Sequence, residues 1–184
     1  VRILRSRQFQ LMLGKAIVRQ RESTTSSVAQ RSLPYPYRAA LAICSDVDCT
    51  PDFTTYLEIM RFLNTGVKTK LGAGLDLEMG NSFYFMAPSF RYAYWNLSEP
   101  ERRNTRELIR SGHIDCLHSI GEDARTRGHA ADAYRELSQH DCRLQVWVDH
   151  SKTPTNFGAD IMMGHGDEPG HPAYHADLAQ EYGI

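Results

Sequence analysis

Long apolar runs are missing: nothing in the 184 residues approaches the roughly 20 apolar positions that a membrane-spanning helix needs. Net charge is nearly missing too. The formal value is -1, so no global pull toward nucleic acid or acidic lipid is expected. Cysteine is scarce. Cys44, Cys49, Cys116 and Cys142 show no CxxC spacing, which excludes a disulfide scaffold and reads as reduced thiols of a cytoplasmic protein. No GxxxxGK[ST], GxGxxG or GxSxG pattern is present, so the phosphate-cradling, dinucleotide-binding and nucleophile-elbow signatures are all absent. Histidine does not occur before position 113, and all eight histidines fall at or after it. A structural histidine can fall anywhere, so this clustering points to a site built from the second half of the chain.

What is present is ordinary globular material. The chain is 41% hydrophobic and 23% charged, and its length suits one domain with an appendage. Charge is unevenly spread. Residues 1–31 carry seven Lys/Arg against Glu22 alone, and the remainder carries 14 basic against 21 acidic residues. Residues 1–34 therefore read as a basic N-terminal helix (1–22) followed by a polar linker (23–33), and residues 35–184 as the main domain. The apolar positions of the leader have an irregular period. A helix packed on the domain, or a poorly ordered end, is preferred over a membrane-surface helix.

The main domain is organised around Ala40–Thr50, ALAICSDVDCT. A small-apolar run, Ala39–Ser45, reads as a buried strand and ends in Asp46 and Asp48. Two carboxylates at one strand mouth need a cation, a proton or donors nearby, because a carboxylate leaving water is costly. Further strands are expected at Ser82–Met86, His113–His118 and Leu144–His150. Helices are expected after Pro51 (capped by Thr50, with Phe53, Leu57, Met60, Phe62 and Leu63 as its stripe), from Ser98 to Ser111-Gly112, from about Gly128 to His140, and from Pro172 to Gly183. Strand and helix thus alternate about four times, the pattern of an α/β fold with parallel strands. Sites in such folds gather at the C-terminal ends of strands. Asp46, Asp48, His118 and His150 all fall there. Tyr182-Gly183-Ile184 reads as the turn into a further strand, so the barrel is expected to be incomplete and the chain a fragment of a longer one.

Two segments resemble a known family. SDVDCT, Ser45–Thr50, is similar to the Asp-x-Asp form of the first motif of the polysaccharide deacetylases. RSGHIDCLHSIGE, Arg110–Glu122, resembles their second motif, with Gly112-His113 as its introduction and His118-Ser119 at the first histidine position. Glu122 stands where the family has its second histidine. The resemblance covers about residues 37–150. It implies a distorted (β/α) barrel that uses a divalent metal, most often zinc, to remove acyl groups from N-acetylated sugars or to hydrolyse related C–N bonds. Carried over, Asp46 is the general base, and Asp48, His118 and Glu122 are the metal ligands. A carboxylate in place of imidazole makes manganese, iron or magnesium acceptable. Asp46 and Asp48, two apart, share one side of a strand, and one helical turn would align His118 with Glu122.

Other residues carry weaker signals. His150, beside Asp149, is a candidate acid for the leaving amine. His113 and Asp115 suit core or rim roles, and Cys49 and Cys116 flank the site. GHGDEPGHPAYH offers His165, Asp167, His171 and His175; the i, i+4 spacing of the last two could bind a metal, although a substrate-covering loop is preferred. Tyr92, Tyr94 and Trp95 could stack on sugar rings, although aromatic clusters more often pack a core. Asn96-Leu97-Ser98 matches a glycosylation acceptor, but Ser98 reads as a cap. Three functions compete: a metal-dependent hydrolase acting on a carbohydrate or small amide; a non-catalytic relative binding carbohydrate or a partner; and a retaining glycosidase, for which Asp46 and Glu122 would have to stand about 5 Å apart.

Overall fold

The computed structural model of the chain describes residues 36, 39, 44–46, 49–77, 79–160 and 163–184. The chain divides into two units, Val1–Ala42 and Ile43–Ile184. In the first only Pro36 and Ala39 are described, both exposed, so the expected basic helix and linker lie outside the described residues. Residues 40–43 of the first expected strand, and Asp48, also lie outside them.

The second unit is α/β. Four short strands, β1 (Cys44–Ser45), β2 (Gly80–Phe83), β3 (Cys116–Leu117) and β4 (Val146–Trp147), form one parallel sheet in chain order. Helices α1 (Phe53–Asn64), α2 (Glu99–Arg110) and α3 (Arg127–Gln139) connect them, a 3₁₀ turn (Tyr94–Asn96) precedes α2, and α4 (Ala176–Tyr182) follows β4. The strand order has no reversal. The crevice that opens where a doubly wound sheet changes direction therefore has no counterpart among the described strands.

Register decides which residues meet. Ser82 pairs with Cys116 and Cys116 with Val146; Phe83 pairs with Leu117 and Leu117 with Trp147. Side chains alternate along a strand, so each row across the sheet lies on one face. Phe83, Phe85 and Leu117 bury themselves in the main core with Tyr56 and Met60 of α1, Ile109 of α2, and Ala130, Ala133 and Leu137 of α3. Each such ring contributes roughly 2–3 kcal/mol by leaving water. The other face is different in kind. Tyr84 sits in a small separate cluster with Ala87 and Ala93, and Val146 and Val148 stay 43% and 40% exposed on β4.

The helices begin and end where their chemistry permits. The cap of α1 is Asp52 and not Thr50: its carboxylate accepts the Thr55 N–H at 2.7 Å, which holds its pKa below the ordinary value. Ser98 caps α2 as expected, and Glu101 reaches back to accept the Ser98 N–H at 2.8 Å. The second strand starts earlier than the aromatic run suggests, at Gly80, because pairing to β1 begins there. Gly80 also lets the Asp115 carboxylate approach: a Cβ at this position would lie 2.6 Å from an Asp115 oxygen. Gly183 is the left-handed cap of α4 (φ 112°), and Ile184 packs against the core.

Arg106 of α2 ties the helices together. It is buried, donates to the Tyr94 hydroxyl at 2.8 Å and to Glu136 of α3 at 3.3 Å, and pairs with Glu99. Two carboxylates and a hydroxyl satisfy a guanidinium that would otherwise be costly to bury.

Past β3 the chain turns sharply at Gly121, which bridges Met86 in parallel. Its φ is 123°, and a Cβ there would stand 2.0 Å from the Met86 carbonyl oxygen. Gly121→Ala is therefore expected to cost at least ~2 kcal/mol from strain and backbone displacement. Thermal unfolding of the variant should show a Tm lower by about 5 °C or more; an unchanged Tm would contradict this packing.

Candidate functional site

The site grows from the C-terminal ends of the strands. His118 follows β3 and His150 lies three residues past β4; both are buried. Their rings meet edge to face with centroids 4.5 Å apart. From β1, the Asp46 carboxylate comes within 3.7 Å of His118 Nδ1, and the Ser82 hydroxyl of β2 lies 3.5 Å from the same nitrogen. Asp46 is 67% exposed, so it stands at the rim with the imidazole behind it. Tyr84, the next residue on that face of β2, lays its ring on His150 (5.4 Å, 17° between planes) and leans on His118 (6.3 Å).

Glu122 enters from the other side. Its Oε1 lies 3.2 Å from His150 Nε2 and is also paired with the Arg91 guanidinium. The helical turn expected between His118 and Glu122 is not formed, because Ser119 and Gly121 both take positive φ (52° and 123°). Glu122 consequently meets His150, the histidine of the next strand. Asp46 and Glu122 thus touch different imidazoles, an arrangement unlike a simple carboxylate pair.

Both histidines are followed by a left-handed serine, Ser119 at φ 52° and Ser151 at φ 53°. A left-handed serine costs about 1–2 kcal/mol and persists only where surroundings enforce it. After β3 the Ser119 hydroxyl accepts the Gly121 N–H at 3.0 Å. After β4 the clamp is Asn156, fully buried, whose amide accepts the His150 N–H (3.2 Å) and donates to the carbonyls of His150 (3.1 Å) and Ser151 (2.6 Å). These bonds fix where the His150 ring leaves the backbone. Tyr84, Arg91 and Asn156 escaped the sequence reading. The repeated His-Ser, 118–119 and 150–151, was the one visible sign that two strand ends are built alike.

The remaining candidates lie apart from these contacts or make others. Asp149 accepts the Trp147 indole N–H (2.7 Å) and the Phe157 N–H (2.9 Å), which anchors the loop after β4. His113 lies 2.9 Å from the Ser111 hydroxyl at the end of α2. Asp115 is half-buried against Gly80, its Oδ1 lacks a hydrogen-bond partner, and burial raises its pKa. Cys49 is exposed. The buried Cys116 thiol hydrogen-bonds to Cys44, which raises the Cys116 pKa and lowers that of Cys44. Tyr92 and Tyr94 are core residues, with Tyr92 stacked on Tyr56 at 4.1 Å.

In the long loop, His171 and His175 do not form an i, i+4 pair on a helix, since α4 begins only at Ala176. His171 stacks on His165 (4.3 Å), which bonds Glu168 (2.8 Å), and Asp167 accepts the Gly158 N–H. His175 is fully buried, with Nε2 2.8 Å from the Thr155 carbonyl and Nδ1 3.3 Å from the Tyr134 hydroxyl. A carbonyl only accepts, so Nε2 carries the proton and Nδ1 receives the hydroxyl's.

Among the described residues no three His, Cys, Asp or Glu side chains are arranged to hold a metal ion, and no helix is long and apolar enough to cross a membrane. The donors fit a divalent ion in kind: carboxylates with imidazole are what zinc, manganese and iron accept. Asp46 and His118 converge from separate strands, and Asp48, the expected partner ligand, lies outside the described residues. No protein-family model matches the chain, and it has no match among curated proteins or solved structures.

His175 yields a pH prediction. Burial lowers its pKa in the folded chain, so the unfolded chain takes up a proton near pH 6.5 that the folded chain refuses. Stability is complete above that pH and falls as pH drops below it, by at most about 1.4 kcal/mol per unit for this group. Tm measured from pH 7.5 to 5.5 should fall less steeply in His175→Gln, whose amide can replace both hydrogen bonds; equal slopes would remove His175 as the cause.

Proposed function

We propose that the chain is a metal-dependent hydrolase that removes an acyl group from an N-acylated sugar or cleaves a related C–N amide bond, on a (β/α) barrel of the polysaccharide deacetylase type. Two observations support the barrel: four parallel strands follow in chain order, and their polar residues collect at one end. The observation that carries the function is the meeting of Asp46 and His118, distant in sequence, at 3.7 Å beside a second imidazole.

In this reading the ion, zinc first with manganese, iron or magnesium as alternatives, is held by Asp48, His118 and Glu122, and supplies Lewis-acid polarisation of the amide carbonyl. Glu122 already engages Arg91 and His150, but a carboxylate has lone pairs to spare for a further partner. Asp46, at the exposed rim, accepts the proton of the attacking water. The new C–O bond forms, the C–N bond breaks, and His150 delivers a proton to the departing amine. Tyr84 and Asn156 hold that ring in place from its face and from its backbone.

A second reading is favoured by one observation, the ion pair of Glu122 with Arg91, which puts a fixed cation where an ion's ligand is expected. There the same strand ends bind carbohydrate or a partner without turnover.

Elemental analysis of the purified chain, with acetate release from N-acetylglucosamine oligomers, separates the two. The hydrolase is expected to hold about one equivalent of divalent ion and to lose it in Asp48→Ala and His118→Ala. Asp46→Asn should keep the ion while acetate release falls by about 10²-fold or more. Oligomer binding with neither ion nor acetate would select the second reading.

A further inference from the structure

The connection between α1 and β2 runs over residues 65–79, well beyond the roughly 2–6 residues usual for a link of this kind. It displays four large apolar side chains: Val67 and Leu71 are 55% exposed, Leu75 47% and Leu77 42%. We propose that this connection is a self-association surface, on which a second copy of the chain docks about a two-fold axis. The proposal is independent of the hydrolytic reading.

Backbone bonds hold these side chains on display. Thr69 and Gly72 exchange two hydrogen bonds (2.8 and 3.2 Å) and close a tight hairpin with Lys70 and Leu71 at its tip. The Gly74 N–H donates to the Val67 carbonyl at 3.2 Å. The Leu75 and Leu77 N–H groups donate to the carbonyls of Phe62 and Leu63 (2.7 and 2.9 Å), in the last turn of α1, where helix carbonyls otherwise lack partners. Glu58 of α1 accepts the Lys70 N–H at 3.3 Å. Gly72 takes φ 129°, and a Cβ at Gly74 would stand 1.8 Å from the Thr65 carbonyl oxygen, so the hairpin needs glycine at both places. A backbone tied this way is ordered before a partner arrives, which lowers the entropy lost on docking. Grouped exposed apolar side chains rimmed by charge are the mark of an interaction surface.

Charge selects the occupant. Lys68 and Lys70 stand at the tip of the hairpin and Asp76 at its base; all three are exposed, and none has a side-chain partner among the described residues. Opposite charges that do not meet within one copy can meet across a two-fold axis, which sets the tip of each copy against the base of the other. A two-fold interface requires such self-complementarity, because the same patch supplies both sides. The formal net charge of -1 leaves two copies free of strong mutual repulsion. An anionic membrane fits less well, since the chain after residue 31 carries 14 basic against 21 acidic residues. A link that leads from a helix into a parallel strand lies at the N-terminal end of the sheet, so a copy docked there leaves the strand mouth open.

Sedimentation equilibrium of the full chain tests this. The wild type is expected to show twice the mass of one chain at about 50 μM and to dissociate on dilution. Leu71→Asp and the pair Lys68→Glu with Lys70→Glu change exposed side chains of the hairpin. Each is expected to raise the Kd of the dimer about tenfold or more, with far-UV circular dichroism and Tm as in the wild type. Asp76→Asn, which removes the base charge and keeps a residue suited to its left-handed backbone (φ 50°), should weaken the dimer in the same direction. A monomer at every concentration up to about 200 μM, or a dimer whose Kd none of these variants changes, would overturn the proposal. So would a monomer that floats with phosphatidylserine vesicles and loses that binding in Leu71→Asp, which would give the surface to a membrane.

Discussion

Everything at the strand mouth depends on the pairing that sets Ser82, Cys116 and Val146 side by side. Parallel ladders fix the face of every later residue, and a slip of one would exchange the faces completely. In the observed register Phe83, Phe85 and Leu117 go to the helices, while Tyr84, His118 and His150 are left to one another. The aromatic core is thus also what forces the polar residues together. Burial of the phenylalanines supplies the free energy that holds a crowded, strained set of strand ends.

The strain is local. His118 and His150 each precede a left-handed serine, and each strand end is then tied by a different device: a hydroxyl and a glycine after β3, a buried asparagine after β4. Neither serine is a residue type that favours this conformation. Strained backbone beside paired imidazoles, in two places at once, is the pattern of a site where position has been favoured over local stability. The loop after β4 adds a second layer. Asp149, Thr155 and Asn156 knit it to Trp147, Ala124 and His150, so the ring of His150 is positioned by bonds made well beyond the strand itself.

The alternation of strands and helices was legible because it rests on apolar spacing and on caps such as Ser98 with Glu101. The placement of His118 and His150 at strand ends was legible for the same reason. What stayed hidden was decided by tertiary contact. SFYFMA reads as a strand from Ser82 to Met86, yet the ladder starts at Gly80, since a glycine is what admits the Asp115 carboxylate. Tyr92 and Tyr94 pack in the core, as clustered aromatics more often do, while their neighbour Trp95 is only partly buried; nothing in the run marks which ring reaches the surface. His171 and His175 have helical spacing, but the helix begins after them and His175 is spent on Thr155 and Tyr134. Asn156 and Arg91 carry no motif at all. Their partners, the backbone of His150 and the carboxylate of Glu122, are chosen by a fold that spacing alone does not reveal.

Charge at the mouth bears on how the two functional readings relate. Asp46 and Glu122 bring two negative charges and Arg91 returns one, with both imidazoles close by. Asp46 is 67% exposed and keeps its hydration, so the excess sits at the solvent rim, and Glu122 is the carboxylate whose charge is met within the protein. Arg91 and His150 both meet it. In the hydrolase reading Glu122 would stand where the motif it resembles has its second histidine. It adds an anion that draws an ion in, and the same anion recruits Arg91, which satisfies part of the demand without any ion. In that reading an ion would have to share Glu122 with Arg91, and would be held less tightly the more firmly Arg91 is held. Arg91 is flanked by the exposed Phe90, 5.7 Å from its guanidinium, and is held by Tyr84 as well as by Glu122.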